Sequence, residues 1–335
     1  MVGKNLVVQY NGYPIDDVDA DEETKDDKSS GEEPSSTTTD IVVLPNPTTS
    51  TRDFSSFDTQ SFPLLNKVVY VFKQYEQRQR FLSASFQGKD MIIDEEPILV
   101  QRSIYSQMEH SNLRLLCMFV HEMLADCKLT VDQKFSLMKE LCKQLVYAHR
   151  FGMTSRFFSK PGGPVMLFLG MAYEINNLQA FFGEHFNAKI QMSQTMFIEG
   201  HKANDKARKL RPIFIETIML MALVVFEEVE RQNIDSCNDY RDQLYSEFHR
   251  YLTKQYNSSE KASYRLMRLS SLLFEVKHLT ILREQMDLML DVFIPESIKG
   301  ALETPRQVQN EELKQVLEAA NEFVVQMSQM RFDNL

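Results

Sequence analysis

The sequence predicts an all-α domain, a multilayer antiparallel helical sandwich with one small β-hairpin. Three observations predict it. Apolar residues recur at intervals of three and four over most of residues 61–327, which is the period of a helix face. The stretch 128–149 is apolar on more than one face, and such a helix is buried between other helices. The helical pattern is broken by Pro161, Gly162, Gly163 and Pro164, which demand a turn between short apolar runs suited to a hairpin.

Residues 1–60 are rich in Asp, Glu, Ser and Thr and poor in large apolar side chains. They cannot bury enough surface to offset their ordering entropy, so a disordered acidic tail is expected. Residues 61–305 form the expected domain. It opens with an amphipathic helix carrying Leu64, Leu65, Val68, Val69, Val71 and Phe72. A second helix carries Met108, Leu113, Leu116, Phe119, Val120, Met123 and Leu124. Thr130 with Gln133 reads as a capping box that starts the buried helix of Leu137, Met138, Leu141, Cys142, Leu145 and Val146. Helical patterning resumes near Ile175. It then continues as a long apolar helix over 204–226, an amphipathic one over 238–256, and the longest over 259–293, ended by Pro295. Residues 306–335 hold Leu313, Val316, Leu317, Ala320, Phe323, Val324 and Met327 at helical spacing, so a C-terminal amphipathic helix is expected.

Charge and cysteine usage narrow the function. The eleven acidic and three basic residues of 1–40 account for −8 of the formal −10, so the remainder is near neutral and unlike a basic nucleic-acid binder. Cys117, Cys127, Cys142 and Cys237 show no close spacing and are read as reduced thiols in a reducing compartment. No apolar run is long enough to span a bilayer, and no apolar leader opens the chain. The histidines show no metal spacing, a Gly-rich phosphate loop is absent, and Cys142 has no base partner in view. The chain is therefore expected to bind rather than catalyse, with no cofactor and no metal.

Four segments in order then resemble the ligand-binding domain of nuclear hormone receptors, in the divergent style of the nematode branch. Leu129, Asp132, Leu137, Met138 and Lys139 fill the signature that closes that family's third helix and opens its fourth. Glu216, Leu220, Ala222 and Phe226 resemble its eighth helix, residues 240–256 its ninth, and Arg265 with Leu266, Leu269, Leu272 and Leu273 the opening of its tenth. The resemblance implies a buried ion pair between Glu216 and Arg265. It implies a pocket for a small lipophilic ligand at Tyr105, Met108, Asn112, Cys142, Val146, Arg150 and Met153. It also implies a groove for LxxLL-type coregulator helices or a corepressor at His121, Leu124, Phe135, Met138, Lys139, Ile298 and Leu302, homo- or heterodimerisation through residues 259–293, and a nuclear location.

The departures point elsewhere. The family's zinc DNA reader needs CxxC modules, and none of the four cysteines is so spaced, so direct DNA binding by this chain is not expected. The place of the last-helix clamp glutamate holds Gly300, and the arginine that holds a ligand carboxylate in fatty- and retinoic-acid binders is replaced by Met153, with Arg150 and Arg156 to either side. The alternative function is a ligand-independent helical interaction module that pairs with full-length receptors as a corepressor-like partner.

Overall fold

The central helix begins where Thr130 and Gln133 satisfy each other's free backbone groups. The Gln133 N–H donates to Thr130 Oγ1 at 3.2 Å and the Thr130 N–H to Gln133 Oε1 at 2.9 Å. The computed structural model in which this is seen describes residues 61–88, 97–183 and 186–293. The expected tail 1–60, the expected helix 306–335, and Ile298, Gly300 and Leu302 lie outside those residues.

Eight α-helices occupy the described chain: α1 (Pro63–Gln87), α2 (Arg102–Met123), α3 (Val131–Phe157), α4 (Leu178–Phe182), α5 (Phe186–Leu210), α6 (Phe214–Arg231), α7 (Asn238–Tyr256) and α8 (Ser259–Phe293). Helix α3 and its neighbour α6 form the middle of the packing. The α1–α2 pair lies against them on one side and the α5–α8 pair on another, while α7 joins α1 to α8. From Leu145 to Ser155 every residue of α3 is buried, as its several apolar faces require. The close approach of α3 to α6 depends on Gly152, where an added Cβ would sit 2.2 Å from the Thr217 methyl.

Three strands accompany the helices: β1 (Ile98–Leu99), β2 (Val165–Phe168) and β3 (Met171–Tyr173), in the order β1-β3-β2. The expected hairpin is β2–β3, antiparallel, but β1 adds a third strand parallel to β3. Two residues give no periodic signal, so β1 is invisible in sequence. The hairpin also turns elsewhere than expected. Residues 161–164 only redirect the chain from α3 into β2, and the reversal is at Leu169 and Gly170, where Gly170 takes φ +79°.

One further expectation is corrected. The apolar run 204–226 is two helices, because Pro212 cannot continue the bonding ladder and Arg211 adopts φ +48°. The cysteines, distant in sequence, lie in pairs in space, Cys117 beside Cys142 and Cys127 beside Cys237, with all four free and buried.

Residues Glu216 and Arg265 also meet. Arg265 donates to the carboxylate from Nε at 2.7 Å and Nη2 at 2.6 Å. Its other N–H groups take the carbonyls of Leu210 and Arg211 at 2.8 and 3.0 Å, the two left open where α5 ends. One bidentate pair thus holds the α5–α6 break against α8.

Candidate functional site

Helix α3 buries His149, Arg150 and Thr154 among its apolar residues, and a buried polar group needs a partner. Thr154 accepts the Met166 N–H at 3.1 Å and so fixes β2. His149 sits 3.3 Å from the Tyr75 hydroxyl and 3.5 Å from Glu76. The Gln79 amide donates to Asn112 Oδ1 at 2.7 Å while its oxygen accepts the Leu169 N–H at 3.1 Å. These bonds tie α1, α2, α3 and the hairpin turn together.

Burial alone would raise the Glu76 carboxyl, yet Arg156 at 3.1 Å and His149 outweigh it and hold it at about 2 against an ordinary 4.5. A carboxyl depressed in the folded state stabilises it above pH 4.5 and ceases to do so as the pH falls towards 2. The unfolding free energy should fall by on the order of 3 kcal/mol across that window. Glu76→Gln should flatten the fall in an acid titration followed by urea unfolding. An equally steep fall in the variant would assign the effect to other carboxylates.

Arg150 is the residue of α3 left incompletely bonded. It is 7% exposed and stacks at 5.5 Å from the Tyr147 ring centroid, and the neighbouring tyrosines support its charge. Its Nε and Nη2 have no partner. The Tyr105 hydroxyl donates to Glu109 at 2.6 Å. Burial and the adjacent Glu109 push the Tyr105 hydroxyl up, so it stays a donor. Burial opposes the Glu109 charge, but Arg283 and Arg102 outweigh it and keep the carboxyl below its ordinary value.

Arg150 lines a cavity of about 60 Å³. Arg102 and Tyr105 enter it from α2, Tyr147 from α3, Leu167 and Tyr173 from the hairpin, and Phe181 and Phe182 from α4. Helix α5 contributes Met196, Phe197, Gly200 and Asn204, and α8 contributes Leu279, Arg283 and Met286. The walls are thus aromatic, with three arginines and no carboxylate among the lining residues. Tyr173 packs on Phe181 at 5.3 Å and Phe197 packs on Phe182 at 5.3 Å.

Of the residues that the family resemblance assigns to a pocket, Tyr105 and Arg150 line this cavity. Met108 is sealed in the cluster around Val100 and Phe168. Asn112 belongs to the Tyr75–Gln79 network, and Cys142 lies against Cys117. Val146 is in the main core, and Met153 packs behind the hairpin on Met166, Leu169 and Ala172. The cavity residues on α5 and α8 were missed. Their helical spacing marks them as apolar-face residues, and nothing local marks which face meets a cavity rather than a core.

A second depression of about 10 Å³ lies between α2 and α3, lined by Val120, His121, Leu124, Lys134, Leu137 and Met138 together with Cys117 and Leu129. His121, Leu124 and Met138 of the expected coregulator groove are therefore together. Phe135 packs half-buried against the main core, and Lys139 is exposed and does not line the depression. The basic side chain there is Lys134, one helical turn and a fraction earlier.

With this geometry in hand, comparison with protein-family models and with curated proteins finds no match to the sequence. Among the described residues no group of three metal-ligating side chains occurs, and no helix is long and apolar enough to cross a membrane.

Proposed function

We propose that this chain is a regulatory ligand-binding module of the nuclear-receptor kind, whose cavity takes a small organic acid with its carboxylate on Arg150. One observation carries the reading: Arg150, a buried guanidinium short of acceptors, lines a cavity that Arg102 and Arg283 also line. A buried cation short of acceptors is unfavourable, and a carboxylate answers it with paired, charge-assisted hydrogen bonds. The order of the elements, with a hairpin following the long central helix and a long helix α8 closing the cavity, supports the family resemblance.

Size sets the ligand class. The cavity holds about 60 Å³ where a single water needs roughly 10–15 Å³, so a short acid such as butanoate, of about six non-hydrogen atoms, is the ligand to test. At a ceiling of about 1.5 kcal/mol per atom, its affinity is at best about micromolar. Isothermal titration with butanoate should show saturable one-to-one binding that Arg150→Met abolishes. No heat with the wild-type chain, or equal binding by the variant, would refute the reading.

Helix α8 favours a second, compatible role in pairing. Met267, Phe274, Ile281 and Leu288 are each more than half exposed and stand seven residues apart, the repeat that a helix uses to meet a helix. The occupant we infer is the α8 of a second copy, which carries the same repeat and allows a two-fold symmetric contact. Lys277 and Glu284, of opposite sign, flank the stripe on its exposed face. Sedimentation equilibrium should give a dimer that Phe274→Glu splits. A wild-type monomer at tens of micromolar would end this reading and leave a different receptor as the partner to test.

A further inference from the structure

Helix α8 carries an apolar stripe that is only half of a helix–helix seam. Met267, Phe274, Ile281 and Leu288 are each more than half exposed, but a two-stranded seam takes two apolar residues in every seven. The alternate positions of the stripe hold Ser271, His278 and Gln285, all exposed. The chain itself supplies a segment with the full complement. Residues 294–335 lie outside the described residues, and their sequence carries Leu313, Leu317, Ala320, Val324 and Met327 at alternating intervals of four and three, the spacing of a complete seam. The start of that segment is marked too: Thr304, Pro305 and Gln307 stand at the cap, first and third positions of a capping box. The eleven residues 294–304 separate it from the end of α8. Extended, they reach roughly 36 Å, and packed helix axes stand only about 8–10 Å apart, so the segment can fold back along α8.

We propose that residues 305–327 form a helix that lies antiparallel on α8 and covers its stripe, so that the chain carries its own competitor for the pairing of α8 with another chain. Leu313 to Met327 and Phe274 to Leu288 each span about 21 Å of helix. In one antiparallel register Ile281 falls between Leu317 and Ala320, and Phe274 between Val324 and Met327, with Leu288 beside Leu313. The same register brings Glu322 level with Lys277 and Lys314 level with Glu284. Those two α8 residues already pair with Glu227 and Lys143, so the match keeps like charges apart while the apolar seam drives the contact. His278, which stands 4.0 Å from Glu199, comes level with the neutral Asn321. Tethering decides between this occupant and a second copy. A short flexible link holds its end at an effective concentration of about millimolar, far above the micromolar concentration at which a second chain is met. The contact uses the same stripe as the pairing proposed above and does not require that pairing to occur.

Trypsin tests the contact in the full chain, because Lys314 lies inside the covering segment and cleavage tracks the population of the open form. Cleavage after Lys314 in the wild-type chain should be slow, and its rate should not change on dilution from micromolar to nanomolar chain. Phe274→Glu on α8 and Val324→Glu on the segment should each speed it at least about tenfold. Phe274 is 72% exposed, so its substitution leaves the core intact. In sedimentation equilibrium Val324→Glu, with α8 unaltered, should tighten the dimer. Equal cleavage in the three chains would overturn the proposal. So would protection that fades on dilution, which would assign the stripe to a second copy. A dimer that Val324→Glu does not tighten would remove the competition. A wild-type chain that is monomeric yet protected at Lys314 would end the pairing reading and leave this contact standing.

Discussion

Glu216→Ala is expected to lower the unfolding free energy by roughly 3–5 kcal/mol, the cost of leaving one member of a buried ion pair alone. Glu216 is 0% and Arg265 5% exposed, so water does not reach in to replace the lost carboxylate. The same carboxylate also accepts the Ile213 N–H at 2.9 Å and the Tyr256 hydroxyl at 3.4 Å, and both donors are stranded with the arginine. Arg265→Leu should be comparably damaging, because it frees the carbonyls of Leu210 and Arg211 at a break strained by the positive φ of Arg211. The double variant should recover part of the sum of the two losses, since it leaves no unpaired charge. Urea unfolding of the four chains measures this, and strict additivity would mean that the two residues do not interact.

Arg208→Met is the second large effect. Arg208 lies on α5 with its side chain wholly buried. It donates to three carbonyls beyond α3: Phe158 at 2.9 Å, Gly163 at 2.8 Å and Pro164 at 2.5 Å, and it pairs with Asp205. Asp205 in turn accepts the Gly162 N–H at 3.2 Å. The Pro-Gly-Gly-Pro connection has no regular ladder of its own, so this side chain stands in for one. Methionine fills much of the volume and supplies no donor. Three stranded carbonyls and an unpaired carboxylate amount to about 3–5 kcal/mol once partial access of water to the turn is allowed for. Hydrogen exchange should report the loss first at the amides of Val165–Tyr173, which follow the connection. An intact exchange pattern with unchanged stability would show that the turn holds itself.

Most of the helical architecture was legible in the sequence, because a face that repeats every three to four residues needs only local reading. The Thr130–Gln133 cap and the buried run of α3 come from residue types at fixed spacings, while the Glu216–Arg265 contact comes from the resemblance to the receptor family. Where the reading went astray, long-range geometry decided. The stretch 204–226 reads as one helix only if Pro212 is passed over, and the proline divides the charged end of α5 from the apolar run of α6. Strand β1 exists only because β3 offers it an edge. The cavity was the least legible part. Arg150 and Tyr105 were named, but Asn204, Arg283 and Met286 come from helices far along the chain, and a cavity-lining side chain carries the same local pattern as a core one. Lys134 rather than Lys139 reaches the α2–α3 depression, because the exposed face of α3 turns away from α2 within one helical turn.

The central claim is that Arg150 is a buried cation kept for a ligand and not for the fold, and thermal unfolding of the wild-type and Arg150→Met chains, each with and without millimolar butanoate, tests it most directly. Replacing an under-bonded buried charge with an apolar side chain of similar volume is neutral or stabilising, whereas a structural arginine behaves as Arg208 should. The account predicts that Arg150→Met melts at or above the wild-type temperature and ignores butanoate, while butanoate raises the melting temperature of the wild-type chain by mass action. A variant that melts several degrees below the wild type, together with a wild type that ignores the acid, would contradict it.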